Sequence, residues 1–364
     1  MEMADAACPL ALMARSTPTE YWNDSCDLDE LRYALANGAV GATTNPVIVA
    51  TVLKKSIKTW EGEIRNLAES HPDWCEDDLA WAVIGKMGAQ AAALLLPVFE
   101  RSGGKKGRLS IQINPKYYRN ADLMVEQGLH LNAIAPNLNI KLPATVAGMK
   151  AAEELTFRGV SPNVTVCFSV PQAVAAAEAV ERGLKRRERE GKPVDGMSPI
   201  CAIMEGRLDD WLRKIAEKKG VITNPGYLEW AGVAVVKKAY GIYRERGYRT
   251  RILTAAYRNH MQWSELIGGE LSMTIPHEWQ VRFNASDVPV IDRIGSQVSP
   301  VILDALRKKF VDFNRAFDEK GMSEPEFDNF GATRRTLRQF LKSYDDLVSI
   351  IRDVLLIDPD IKGE

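Results

Sequence analysis

Short runs of β-branched, aromatic and aliphatic residues recur along the chain, separated by longer stretches whose apolar positions fall three and four apart. The short runs predict strands at Glu20–Asn23, Val40–Thr43, Leu109–Ile113, Leu138–Leu142, Val164–Phe168, Ser198–Ile203, Ile252–Ala256 and Leu271–Ile275. The longer stretches predict helices between them. One runs from Leu28 to Asn37 and is closed by Gly38; another covers Ile48 to Glu100, broken near His71-Pro72. Others fall at 147–158, 170–189, 208–219 and 228–246, and two more, 301–317 and 333–356, follow the last strand. Strand-helix alternation implies a parallel sheet, and about eight strands imply closure. The expected fold is therefore α/β: a (β/α)8 TIM barrel with additional N- and C-terminal helices. Residues 1–18 are expected to be a loose extension, and 19–364 a single barrel domain.

The totals fit this picture. A chain of 364 residues, 46% hydrophobic and 26% charged, has ordinary globular composition and room for a barrel of ~250 residues with insertions. A formal net charge of −1 provides no global field for nucleic acid or an anionic membrane. The mixed run from Lys185 to Lys192 reads as a solvated helix end. Five scattered cysteines without a CxxC pair argue against a disulfide framework or zinc site; reduced thiols and a cytoplasmic location are expected. The apolar run Pro9–Met13 is short and follows acidic Glu2 and Asp5, so it does not read as a secretory signal. No stretch is expected to reach the ~20 apolar residues of a membrane helix.

Barrel active sites lie at the C-terminal strand ends. There the sequence places Asp24, Thr43, Asn45, Gln112, Asn114, Lys141, Asn163, Thr165, Ser169, Arg207 and Arg258. Lys141 stands inside a strand pattern between Ile140 and Leu142. An inward lysine loses solvation, which lowers its pKa and favours the neutral amine, the form that attacks a carbonyl to make an imine. The same spacing also fits a lysine that snorkels to the rim or pairs with Asp24, an Asp24 that only caps the next helix, and Asn163 and Thr165 as turn residues. Gly103–Arg108 lacks P-loop spacing, no GxGxxG follows a strand, no GxSxG occurs, and the four histidines show no HExxH.

Five separated blocks resemble the transaldolase family. They are NDSCDLDELRYALANGAVGATTNPVIV (Asn23–Val49), IKLPATVAGMKAAEEL (Ile140–Leu155), SPNVTVCFSVPQAVAAAEA (Ser161–Ala179), GRLDDW (Gly206–Trp211) and ILTAAYRNHMQ (Ile252–Gln262). They stand in family order and cover roughly 21–275. The resemblance implies a Schiff-base lysine at Lys141 and a proton acceptor at Asp24. It also implies that Asn45 and Asn163 hold hydroxyls of a bound three-carbon enamine, and that Thr165 helps to order a water. Arg207 and Arg258 are implied to bind the terminal phosphate, with Thr43 and Ser169 beside the substrate. No metal or organic cofactor is needed, since the imine is the electron sink. The implied task is transfer of a dihydroxyacetone unit between sugar phosphates, a step of the pentose phosphate pathway, without nucleic acid or membrane partners; a homodimer is left open.

Three positions depart from the family pattern. Gln112 stands where most transaldolases carry an acid/base glutamate, and glutamine cannot exchange a proton at neutral pH. The related fructose-6-phosphate aldolases share the glutamine but add a tyrosine three residues before the first arginine, where this chain has Met204. Ala256 replaces a serine that assists phosphate binding, and Glu205 and Tyr257 are nearby candidates for compensation, with packing roles as the alternative. These departures leave two other expectations open: an aldolase that releases free dihydroxyacetone, and a catalytically weak sugar-binding homologue.

Overall fold

A computed structural model describes residues 8–357, 359 and 360. After α1 (Pro9–Ser16), the first half runs β1 (Glu20–Asn23), α2 (Leu28–Ala36), β2 (Gly41–Thr43), α3 (Pro46–Lys55), α4 (Ile57–Ser70) and α5 (Glu76–Arg101). It continues through β3 (Arg108–Gln112), α6 (Ala121–Asn132), β4 (Leu138–Pro143), α7 (Val146–Phe157), β5 (Pro162–Cys167) and α8 (Val170–Arg189). The second half holds β6 (Ile200–Ile203), α9 (Glu205–Lys219), α10 (Pro225–Leu228), α11 (Ala231–Arg246), β7 (Arg251–Thr254), α12 (Met261–Ser264) and β8 (Ser272–Ile275). Then follow α13 (His277–Asn284), α14 (Pro300–Lys309), α15 (Val311–Phe317) and α16 (Gly331–Leu355). The eight strands close in sequence order, β1 beside β8, and every pairing is parallel. The expected (β/α)8 barrel is the observed fold.

Strand register sets which side chains share the interior. Gln112 pairs with Lys141, and Lys141 with Asn163, so these three lie side by side across β3, β4 and β5. The interior is more polar than a filling of Val, Ile and Leu. Ser110 and Asn163 bond to each other there, and Thr43 bonds to Thr274 across the β1–β2–β8 side. Trp22 also turns inward, over Gly41: a Cβ on Gly41 would stand 2.5 Å from the indole, so only glycine leaves room for it. On β5 the register against β6 shifts between Val164 and Cys167, and Val166 adopts φ 55°. A β-branched residue is rarely found there, and the bulge re-aims the strand end that carries Thr165.

Several helix starts coincide with strand-end polar residues. Asn45 accepts from the N–H groups of Val47 and Ile48, and Pro46 opens α3. Thr145 caps α7 and Ser169 caps α8 in the same way. The expected helix over 48–100 is three helices. Besides the break near His71, a second falls at Ser56, whose hydroxyl bonds back to the carbonyl of Val52 and competes with the helical ladder. The expected helix 301–317 is likewise divided, by Phe310, which is extended and buried.

Two other expectations change. The segment expected to be a loose extension is packed from Pro9 onward, while residues 1–7 lie outside the described part. In α1, Leu10 and Met13 are fully buried; the Leu10 N–H donates to Asn284 Oδ1 at 3.1 Å, and Trp263 Nε1 lies 3.2 Å from Met13 Sδ. Helix α5 is long and apolar enough by composition to cross a membrane, contrary to the sequence expectation. Here its Leu79, Val83, Met87, Ala91 and Leu95 are buried, and it packs along β3 and α16.

If α1 is part of the folded unit, Leu10→Ala should destabilise the protein by about 2–5 kcal/mol through lost burial and the cavity left behind. Urea unfolding measures this; a change below about 0.5 kcal/mol would show that α1 is an appendage.

Candidate functional site

Lys141 lies on β4 at the C-terminal end of the barrel and is only 2% exposed, so it does not snorkel to the rim. Among the described residues its Nζ has one hydrogen bond, a long one of 3.5 Å to the carbonyl of Thr44. Burial pulls the Lys141 pKa down to about 8, against the opposing charge of Asp24, and Arg207 lowers it further. Asp24 follows β1, surrounded by protein although part of its surface still faces the mouth. Burial raises its pKa, while Lys141, a hydrogen bond from Thr43 and the charge of Arg207 oppose the rise. The Thr43 hydroxyl lies 2.7 Å from Asp24 Oδ1 and 2.7 Å from Thr274 Oγ1. Since it can donate only once, the bond to Asp24 makes Thr274 the donor in the second contact.

Around these groups several buried polar atoms have no partner among the described residues. Gln112 Oε1 and Asn163 Oδ1 are both unpaired, as is Thr44 Oγ1. Asn163 uses its Nδ2 on Ser110, at 2.9 Å, which leaves its carbonyl oxygen as the free acceptor. Asn45 uses its Oδ1 as the α3 cap, which leaves its amide N–H groups as donors. Thr165 Oγ1 reaches only the thioether of Met204, at 3.7 Å, a weak acceptor. A buried polar group without a partner costs roughly 1–3 kcal/mol, so this concentration in one layer suits hydroxyls of a polar ligand or water.

A second cluster lies beside it. Arg207 and Arg258 line a cavity of about 240 Å³ with Asp210, Ala332, Arg335, Thr336 and Gln339. Burial and the nearby Arg258 pull the Arg207 pKa down to about 10; its Nη1 donates to Gln339 Oε1 at 2.5 Å. Arg258 forks onto Asp210 Oδ2, at 3.1 and 2.8 Å. Its loop is held from behind: Gln262 accepts from the Arg258 N–H and donates to buried Asp209. Ala256 bends the chain with φ 72°, and its carbonyl approaches Gly206 so closely that a Cβ there would lie 1.9 Å away.

A family profile described as Transaldolase/Fructose-6-phosphate aldolase matches residues 21–348. The chain belongs to this family. It is 30% identical over 232 residues to the transaldolases of Mycobacterium ulcerans and Mycobacterium tuberculosis, a match covering 62% of this chain. The matched part spans about 61% of those relatives' length. It is also 29% identical over 318 residues to the transaldolase of Thiobacillus denitrificans, covering 79% of this chain and 87% of that one.

The residues named from this resemblance do not all lie in one place. Lys141, Asp24, Thr43, Gln112, Asn163 and Thr165 line the strand ends, with Asn45 at the start of α3, and Arg207 and Arg258 form the adjoining charged cavity. Ser169 is different: it is fully buried and its hydroxyl donates to Gln172 while capping α8, so its only proton is committed within the protein. Asn114 caps the short turn at Pro115.

Glu205 and Tyr257 sit behind the strand ends. Glu205 packs against Gly232 of α11, where an added Cβ would stand 2.7 Å from its own, and burial raises its pKa well above the usual carboxylate range. Tyr257 is buried with its hydroxyl 3.0 Å from Thr254 Oγ1. Tyr257 packs there, while both Glu205 carboxyl oxygens are buried without a hydrogen-bond partner among the described residues. Thr274, Arg335 and Gln339 were missed from sequence. Only Thr274, at the end of a predicted strand, carried a signal that could have found it.

A lysine whose folded pKa falls from 10.5 to about 8 binds fewer protons folded than unfolded. Its penalty, about 3 kcal/mol, is complete below pH 8 and fades as pH rises toward 10.5. Lys141→Met should therefore raise the melting temperature at pH 7 by a few degrees, an advantage that shrinks between pH 8 and 10.5. Equal shifts at pH 7 and 10 would contradict the buried amine.

Proposed function

We propose that this protein is a transaldolase-type enzyme. It transfers a dihydroxyacetone unit from a ketose phosphate to an aldose phosphate through an imine on Lys141, as in the pentose phosphate pathway. The observation that carries this reading is the enclosed Lys141 amine, depressed to about 8, in the same strand-end layer as the carboxyl of Asp24. At neutral pH roughly a tenth of such an amine is unprotonated, far more than for a free lysine.

The chemistry follows from the placements. The Lys141 amine adds to the ketose carbonyl, and loss of water with uptake of one proton from solvent gives the iminium. Asp24 takes the proton from the hydroxyl beyond the breaking bond. The carbon–carbon electron pair then moves to the iminium nitrogen, and the aldehyde fragment leaves. Asn163 Oδ1 and the Asn45 amide hold hydroxyls of the enamine that remains. The enamine carbon then attacks an acceptor aldehyde, Asp24 returns its proton to the new oxygen, and water releases the product ketose. Gln112 can position the water of imine formation and hydrolysis but not exchange its proton, and Thr165 is the second polar group there. Arg207 and Arg258 hold the terminal phosphate. Burial raises the pKa of Asp24, which favours return of the proton it accepts. Water and the imine suffice, and no organic cofactor or metal enters the scheme.

A second reading, release of free dihydroxyacetone, is favoured by Gln112, whose unpaired oxygen can hold a water next to the imine. The two separate on acceptor dependence. Fructose 6-phosphate with erythrose 4-phosphate should yield sedoheptulose 7-phosphate and glyceraldehyde 3-phosphate; cleavage without any added aldehyde selects the aldolase instead.

Borohydride reduction with a ketose should leave an adduct on Lys141, mapped by mass spectrometry, and no adduct from any ketose with folded protein would remove both readings. Asp24→Asn should slow turnover about 10²–10⁴-fold while keeping that adduct, because imine formation precedes the step that needs the carboxylate.

A further inference from the structure

Helix α16 closes the cavity that holds Arg207 and Arg258. Ala332, Arg335, Thr336 and Gln339 come from its first turns, one face of one helix, and supply the wall opposite α9 and the β7 loop. On that loop Ala256 offers no side-chain donor. Gln339 fixes the Arg207 guanidinium, and the Phe340 ring lies under it, 5.5 Å from ring centre to Cζ. Arg207 Nε is buried and unpaired. Among the described residues Arg335 makes one hydrogen bond, to the carbonyl of Asp210 at 3.2 Å, which leaves most of its donors for a ligand. The start of this 25-residue helix has no side-chain cap, so its unneutralised amide dipoles add positive potential where Ala332 borders the cavity.

The charges around the cavity do not cancel. Three guanidinium groups face one carboxylate, Asp210, and that carboxylate is already engaged by Arg258. Two positive charges remain, enough for a dianion but more than a carboxylate ligand requires. The geometry points to Arg335 as the third ligand of a phosphate monoester, a specificity-determining residue brought by the C-terminal helix in place of a donor from the β7 loop. This rests on the reading that Lys141 processes a ketose phosphate. A sugar phosphate bound this way would hold α16 against α9 from both sides, Arg335 and the Gln339–Arg207 bond acting together.

Two measurements test it. The first is the half-saturating concentration for borohydride trapping at Lys141, compared between fructose 6-phosphate and unphosphorylated fructose. Wild-type protein should prefer the phosphorylated ketose, and Arg335→Gln should reduce that preference about 10- to 100-fold, the value of a charge-assisted hydrogen bond. Arg335→Lys, which keeps the charge but not the fork, should restore part of it. The second is thermal stabilisation by inorganic phosphate, which needs no turnover. Arg335→Gln should lose most of it, and Arg335→Lys should lie between. Arg335 is exposed and holds only one backbone carbonyl, so both variants should fold; far-ultraviolet circular dichroism checks this. If wild-type protein traps no ketose but its phosphate stabilisation depends on Arg335, the enzymatic reading fails and the anion site stands. If Arg335→Gln keeps both the ketose preference and the phosphate stabilisation, the assignment of Arg335 is overturned, whatever Lys141 does.

Discussion

Removal of the Lys141 amine from water is the constraint around which the barrel mouth is organised. A charged ammonium that loses hydration needs a compensating charge, a partner, or a proton to lose. Among the described residues the amine makes a single hydrogen bond, a weak one to the carbonyl of Thr44, and Asp24 compensates in part. The amine therefore gives up its proton more readily, and Asp24, itself poorly solvated, keeps its proton more readily than a free carboxylate. Each group is moved toward neutrality by the same lack of water. One placement thus tunes a nucleophile and a proton acceptor together, and it carries a stability cost borne by the rest of the fold.

That cost is met by a scaffold that leaves little freedom. Register aligns Gln112, Lys141 and Asn163 on neighbouring strands. The bulge at Val166 re-aims the end of β5, and Gln172 braces it, its amide reaching the carbonyls of Ala144 and Val166 and the hydroxyl of Thr333. Fully buried, it also accepts from Phe168 N–H and Ser169. One side chain thus ties the loop after the lysine strand, the bulge and the C-terminal helix. Strain held by such over-determined contacts is a common feature of functional sites.

The charged cavity follows a different logic. Its arginines are held by hydrogen bonds from outside the barrel: Asp210 and Gln339 orient the guanidinium groups, and Asp209 with Gln262 sets the loop beneath Arg258. Burial raises the Asp209 pKa to about 7, against its hydrogen bonds from Gly232 and Gln262. The buried Asp209 carboxyl supports geometry through these hydrogen bonds. The family resemblance made Glu205 and Tyr257 candidates to compensate for Ala256, with surface or packing roles as the alternative; Tyr257 is buried against Thr254.

How much could be read from the chain depends on the range of each interaction. Period-two and period-3.6 patterns are local, so all eight strands and the barrel were legible. So were polar residues near several strand ends, including Lys141, Asp24 and Asn163, though not Thr274 on β8. Breaks at Ser56 and Phe310 were not, because a hydroxyl that competes with a helix or an aromatic drawn into the core leaves no local period. The packed state of α1 was hidden for the same reason: its partners, Trp263 and Asn284, lie 250 and 274 residues away. By itself the sequence determined which residue types stand at the barrel mouth. Tertiary structure decided which remain available: Ser169 is spent on a cap, Glu205 is fully buried, and Arg335 arrives from a helix more than a hundred residues beyond Arg207. The physical reason is that desolvation and charge proximity, which set what Lys141 and the arginines can do, exist only once distant segments have packed together.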